Sequence, residues 1–144
     1  MSETFIDPDR DQFDLFKGLD RDQPVDMLNL VRLRATAAYP EGHELAAQGL
    51  SGAAAYARYG AASGAVFAGV GGSIVWRGNF QSVLIGPKDE RWDHCFVARY
   101  PSAHAFLAMV TDPAYRLAVV HRQAAVATSR LIRTRPADAG AVFG

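Results

Sequence analysis

Cysteine occurs once in the 144 residues, at Cys95, so neither an intrachain disulfide nor a thiolate metal cluster can form. Charge of one sign is not in excess either. Lys plus Arg and Asp plus Glu number 15 each, a formal net charge of zero. A basic surplus is what draws a chain to nucleic acid or to an anionic membrane, and neither partner is expected here. Long apolar runs are missing as well, since no stretch approaches the roughly twenty residues of a membrane span. The first twenty residues, MSETFIDPDRDQFDLFKGLD, are acidic and lack the apolar centre of a secretory signal, so a cytoplasmic protein is expected. No internal repeat or low-complexity tract is present. Zero net charge also removes mutual repulsion between copies, which leaves self-association open.

What the chain does have is a globular composition, 49% hydrophobic and 21% charged, over a length suited to one domain. That domain is expected to span residues 1–134, with the Pro/Ala/Gly-rich stretch 135–144 as a tail. Within 5–19 a short helix is expected, with Asp7 as cap, Pro8 at the first helical position and Phe13, Leu15, Phe16 and Leu19 at helical spacing. PVDMLNLVRLR (24–34) reads as a strand with apolar residues on both faces, interrupted by Asn29. Residues 35–50 have no clean period and form a long connection, expected to be mobile and to touch either a pocket or a partner subunit. Ser51 caps an Ala-rich helix that places Tyr56, Tyr59 and Ser63 on one side and stops at Gly64. Residues 73–86 read as extended, and 93–100 alternate as a strand. Ser102 caps a helix through Val110, and Asp112-Pro113 restarts one to about residue 127. TSRLIRT (128–134) closes as a strand.

The order is a helix followed by β-α-β-β-α-β, which is an α+β ferredoxin-like arrangement: one antiparallel sheet with helices on one face. Strands that are apolar on both faces then demand a second layer, and a second copy of the chain is the simplest supplier.

The polar residues sort by geometry. AGVGGSIVW is glycine-rich, but its glycines precede a strand and miss the order of a dinucleotide-binding loop, so a turn is expected. Asp93, His94 and Cys95 are adjacent, yet along a strand they face alternate sides. Asp93, Cys95, Val97 and Arg99 share one face, and His94, Phe96, Ala98 and Tyr100 share the other. Asp93 and Arg99 lie about 20 Å apart along such a strand and cannot pair. The four histidines show no metal-ligand spacing, so no metal, haem or flavin is expected. In the last helix, Leu117, Val120, His121 and Ala124 lie opposite Tyr115, Val119, Arg122 and Val126, which suggests cover on both sides. Arg122, with an apolar surrounding, requires a carboxylate or a bound anion. Trp76, Tyr56, Tyr59 and Asn29 can line a small-molecule pocket, or equally a core.

Taken together, MLNLVRLR, AYARYG, GGSIVWRG, the IGP and RWD segments, ARYPSAHAFLAM and DPAYRLAVVHRQAAVATSRLI resemble the domain-of-unknown-function 1330 family of the dimeric α/β-barrel superfamily. The resemblance covers residues 5–134, and the longer members carry an extra N-terminal helix like the one read here. It implies a homodimer in which the sheets of two ferredoxin-like protomers close one barrel. The superfamily holds small monooxygenases, isomerases, dehalogenases and haem enzymes, so no catalytic role carries over to a given residue. Among the matching positions, which include Trp92 and Tyr100, His121, Asp93 and Tyr115 are the catalytic candidates. Asn29, Trp76, Arg99 and Arg122 are the ligand-binding candidates. Two readings remain open, a cofactor-independent small-molecule enzyme and a non-catalytic binding or structural dimer.

Overall fold

The computed structural model describes residues 3–144. Four helices and four strands follow in the order α1 (Arg10–Gly18), β1 (Val25–Leu33), α2 (Gly52–Gly69), β2 (Ser73–Gly78), β3 (His94–Tyr100), α3 (Ala103–Thr111), α4 (Pro113–Ala125) and β4 (Val126–Thr134). Residues 135–144 carry no helix or strand.

Local chemistry starts the helices where the sequence places it. Ser51, Ser102 and Asp112 each accept a backbone N–H of the first turn, at 3.0, 3.2 and 2.8 Å, and Pro113 follows its cap directly. Strand β4 starts at Val126, two residues before the expected 128, and three other boundaries differ from the expectation. In α1 the cap is Asp9, whose Oδ1 accepts from Gln12 N–H, so Asp7 and Pro8 lie before the helix. Helix α2 runs through Gly64 to Gly69, because a single glycine in a packed helix costs only about 1 kcal/mol and packing along α4 outweighs it. Strand β2 ends at Gly78, and residues 79–93 form an irregular connection instead of continuing the extended segment to 86.

The strands form one sheet in the order β2-β3-β1-β4, with every neighbouring pair antiparallel. This order, with the helices crossing between strands, is the ferredoxin-like split βαβ topology. Tyr100, Ala98, Phe96 and His94 pair with Val25, Met27, Asn29 and Val31 and face the helices. Val25, Met27, Ala98 and Tyr100 meet Ala103, Phe106, Met109 and Tyr115 from α3 and α4 in the main core. Helix α1 has no buried residue and is attached by Phe16, 5.0 Å ring to ring from Phe106, and by Arg133, which donates to the Phe16 and Asp20 carbonyls.

The other face of the sheet carries Leu28, Leu30, Val97, Cys95, Trp76 and Ile132, and no helix of the protomer crosses it. Its one charged pair is Arg99 with Asp26, whose carboxylate takes Nε and Nη2 at 2.7 and 2.9 Å. Arg99 therefore has the structural partner that the distance to Asp93 denied it.

In α4 the covered side holds Tyr115, Ala118 and Ala125, while Leu117 is 77% exposed. The opposite side is covered in part, since Ala124 is buried and His121 is met by Tyr39 from the connection 35–50, while Leu117 is left open. No helix among the described residues is long and apolar enough to cross a membrane.

Candidate functional site

A single irregularity in β2 decides what faces the helices. Ile74 pairs with Ala98 and Trp76 with Val97, so Val75 is an extra residue, a β-bulge. Past it the alternation is shifted by one. Trp76 turns to the open face, and Arg77 opposite Phe96 turns toward the helices. Its guanidinium lies over the Phe96 ring, 5.2 Å from the centroid. One row across the sheet then reads Arg77, Phe96, Asn29, Leu131, and in the next His94, Val31 and Ser129 stand side by side.

Helix α2 lays two tyrosines over these rows. Tyr56 stacks on the His94 imidazole, centroids 4.7 Å apart at 24°. Tyr59, one turn on, donates to or accepts from Tyr115 at 2.9 Å between hydroxyls. Arg122 of α4 closes the far side. It donates to the Ile6 carbonyl at 2.5 Å and to Ser129 Oγ at 3.2 Å. The expected carboxylate partner for Arg122 is thereby corrected. A carbonyl dipole and a hydroxyl hold the charge, and this half-buried guanidinium keeps part of its hydration.

The electrostatics of the wedge follow from burial. The Tyr56 phenol is pushed up to about 12, chiefly by burial and secondarily by Tyr59, with Arg122 and Arg77 opposing. Burial raises the Tyr115 phenol still further, helped by Tyr59. Both are firmly protonated at neutral pH and serve as donors. His94 is held below the usual imidazole range by burial, with Asp93 opposing and Arg77 adding to the effect. It is a neutral imidazole at pH 7. Among the described residues, neither His94, the Tyr56 hydroxyl nor Arg77 has a hydrogen-bond or ion-pair partner. Two donors and one neutral imidazole are thus presented together without hydrogen-bonding protein partners, beside the Phe96 and Tyr56 rings.

The structure divides the candidates read from the sequence. Asn29, Tyr115 and Arg122 are brought to the helix-facing wedge, although Asn29 Nδ2 is engaged with the Met27 carbonyl at 3.0 Å. Trp76 and Arg99 lie on the opposite face of the sheet, so the pocket that joined Trp76 to Asn29 and the tyrosines does not form. Asp93 sits at a strand end, where its Oδ2 accepts from Leu33 N–H at 2.7 Å and its own N–H donates to the Val31 carbonyl. Its carboxylate is committed to joining β1 and β3.

His121 belongs to a separate cluster where the connection 35–50 meets α4. Its Nδ1 is 2.6 Å from Tyr39 Oη, and Tyr39 stacks on His43 at 4.7 Å. Burial, His43 and Arg58 hold His121 below its usual range. Ala38 N–H donates to the Ala124 carbonyl and Leu45 is buried, so this connection is tied to α4. Cys95, 8% exposed, has its thiol pushed up by burial and packs as a small apolar residue. No three His, Cys, Asp or Glu side chains converge in a metal-binding group among the described residues.

Sequence reasoning missed Arg77 and ranked His94 too low. A bulge at Val75 carries no glycine or proline, so nothing in the local residues marks it. The stack of His94 on Tyr56 joins residues from separate elements and has no sequence signal at all.

Residues 45–134, from before α2 to the end of β4, match the family model described as Domain of unknown function (DUF1330). The chain belongs to the DUF1330 family. Tyr56, Arg77, His94, Tyr115 and Arg122 all fall within the DUF1330 segment; Asn29 lies outside it. The crystal structure of a protein of unknown function from Rhodopseudomonas palustris is similar throughout, at 53% identity over 94% of this chain and 99% of that one, TM-score 0.87. The methylated form of that protein gives 54% identity, coverage of 96% and 98%, and a TM-score of 0.88. No protein of curated function matches the chain.

Proposed function

We propose that this DUF1330 protein is a homodimer that binds a small planar organic anion in the wedge between the sheet and α2. The observation that carries the reading is the unpartnered set of Arg77, His94 and the Tyr56 hydroxyl beside the Phe96 ring. A planar carboxylate fits this set. The ring stacks on an aromatic face, and Arg77 with Tyr56 donates to the anion.

Binding is favoured over turnover by the state of the ionisable groups. The Tyr56 and Tyr115 phenols keep their protons at neutral pH. The Asp93 carboxylate is engaged by the Leu33 N–H and is not hydrogen-bonded to His94. His94 therefore lacks a hydrogen-bonded carboxylate to strengthen it as a base. The dimer is supported by the apolar sheet face of Leu28, Leu30, Val97, Trp76 and Ile132 and by the zero net charge.

Calorimetric titration with benzoate, and with benzamide as a neutral control, tests the binding reading. Benzoate is expected to bind saturably and more tightly than benzamide. Arg77→Gln should weaken benzoate at least tenfold, the loss of one charge-assisted contact, and leave benzamide unchanged. Equal binding of the two probes, or benzoate affinity indifferent to Arg77, would remove the wedge as an anion site.

A further inference from the structure

The connection between β2 and β3 is built for something outside its own protomer. It runs from residue 79 to residue 93, where neighbouring antiparallel strands need only about two to five residues. Its middle, VLIGP, places two branched aliphatic residues side by side in water: Leu84 is 95% and Ile85 93% exposed. Lone exposed leucines are ordinary, but an adjacent pair on a projecting segment is a contact surface awaiting an occupant. Gly86, with φ of +150°, and a turn closed by Glu90 N–H on the Pro87 carbonyl shape the segment just beyond the pair.

We propose that residues 79–91 form an arm that clasps a second copy of this chain, with Leu84 and Ile85 buried against the partner. The inference rests on the dimer proposed above and assigns that dimer a second contact. Area argues for it. Four strands about 4.8 Å apart and about eight residues long at about 3.3 Å each make a flat footprint of about 500 Å², before side-chain relief is counted. A stable pair of ordinary size buries about 800 Å² on each partner. As a flat footprint the open sheet face is smaller than this, and two exposed aliphatic side chains per protomer add apolar area beside it.

Position argues for the same occupant. The arm leaves β2, an edge strand bordering the open face, at Gly78. It returns through Trp92, which is buried with its ring 5.6 Å from the Arg130 guanidinium. Arg130 pairs with Leu30 and so belongs to the open face. Both roots of the arm therefore border the surface that the second copy covers.

The test compares Leu84→Ser/Ile85→Ser with Ile132→Lys by sedimentation equilibrium over a dilution series. Thermal melts at low concentration check that each protomer still folds. The arm variant should raise the dimer dissociation constant about 100-fold or more, and Ile132→Lys should disrupt the dimer independently. Amide exchange of residues 82–86 should be slow at high concentration and become fast on dilution. A dimer broken by Ile132→Lys but held within threefold by the arm variant overturns the clasp and leaves the sheet interface standing. Exchange at 82–86 that is independent of concentration overturns it too. A wild-type chain that stays monomeric at every concentration overturns both readings.

Discussion

At the residue scale, Arg122 shows how a charge can be kept half-buried without a counter-ion. Its guanidinium ties α4 to the N-terminal segment through Ile6 and to β4 through Ser129. Hydrogen bonds to a charged donor are worth about 1.5–3 kcal/mol, and Ser129 Oγ in turn donates to the Phe5 carbonyl. Arg122→Met should lower stability by about 2 kcal/mol and change benzoate affinity less than Arg77→Gln does. Denaturant melts and titrations on the same two variants check this. Gly52 is constrained differently, because a Cβ there would stand 2.0 Å from the Arg34 carbonyl oxygen. That contact is with backbone and cannot be relieved by a rotamer change. Gly52→Ala should therefore displace the start of α2 and cost about 2–4 kcal/mol in a urea melt.

At the element scale, the bulge in β2 has the largest functional consequence. Deleting Val75 would remove the bulge and still leave Trp76 opposite Val97 on the open face and Arg77 opposite Phe96 toward the helices. The expected outcome is a folded protein that still binds benzoate, with Trp76 fluorescence unshifted. A folded deletion variant that loses benzoate affinity, with Trp76 fluorescence shifted to the blue by burial, would contradict the assignment of faces. The helix starts behave as their residue types require. Ser102→Ala should cost about 1 kcal/mol, since Ser102 Oγ accepts the Ala105 N–H, which would keep only the Ser102 carbonyl at 3.2 Å.

At the scale of the whole molecule, acid stability follows from the two depressed histidines. His94 and His121 are held below the 6.5 of a free imidazole, by burial first in both cases. Between their folded values and 6.5 the unfolded chain binds more protons than the folded one, so stability rises with pH in that window. Their contribution is complete above 6.5 and is lost as the pH falls through the folded values. Melting temperature should thus decline on acidification below about 6.5, and His94→Phe should flatten that decline. The same linkage ties ligand to pH. An anion beside His94 favours its protonated form, so benzoate should bind more tightly as the pH falls from 8 toward 6, and this slope should vanish in His94→Phe.

The chain's local chemistry by itself determined the ferredoxin-like order, because caps, prolines and alternation act within a few residues. Ser51, Ser102 and Asp112-Pro113 begin their helices as their side chains dictate. The separation of Asp93 and Arg99 from His94 and Tyr100 follows from the two-residue period of a strand. What the local sequence could not decide depends on contacts between distant segments. Packing along α4 carried α2 past Gly64. The phase of β2 depends on an unmarked extra residue, so only its pairing with β3 reveals that Arg77, not Trp76, faces the helices. The partners of Arg122 come from Ile6 and Ser129, and those of His121 from the connection 35–50. A side chain's face is set by its neighbours in sequence, but its partners are set by whichever elements the fold brings against that face.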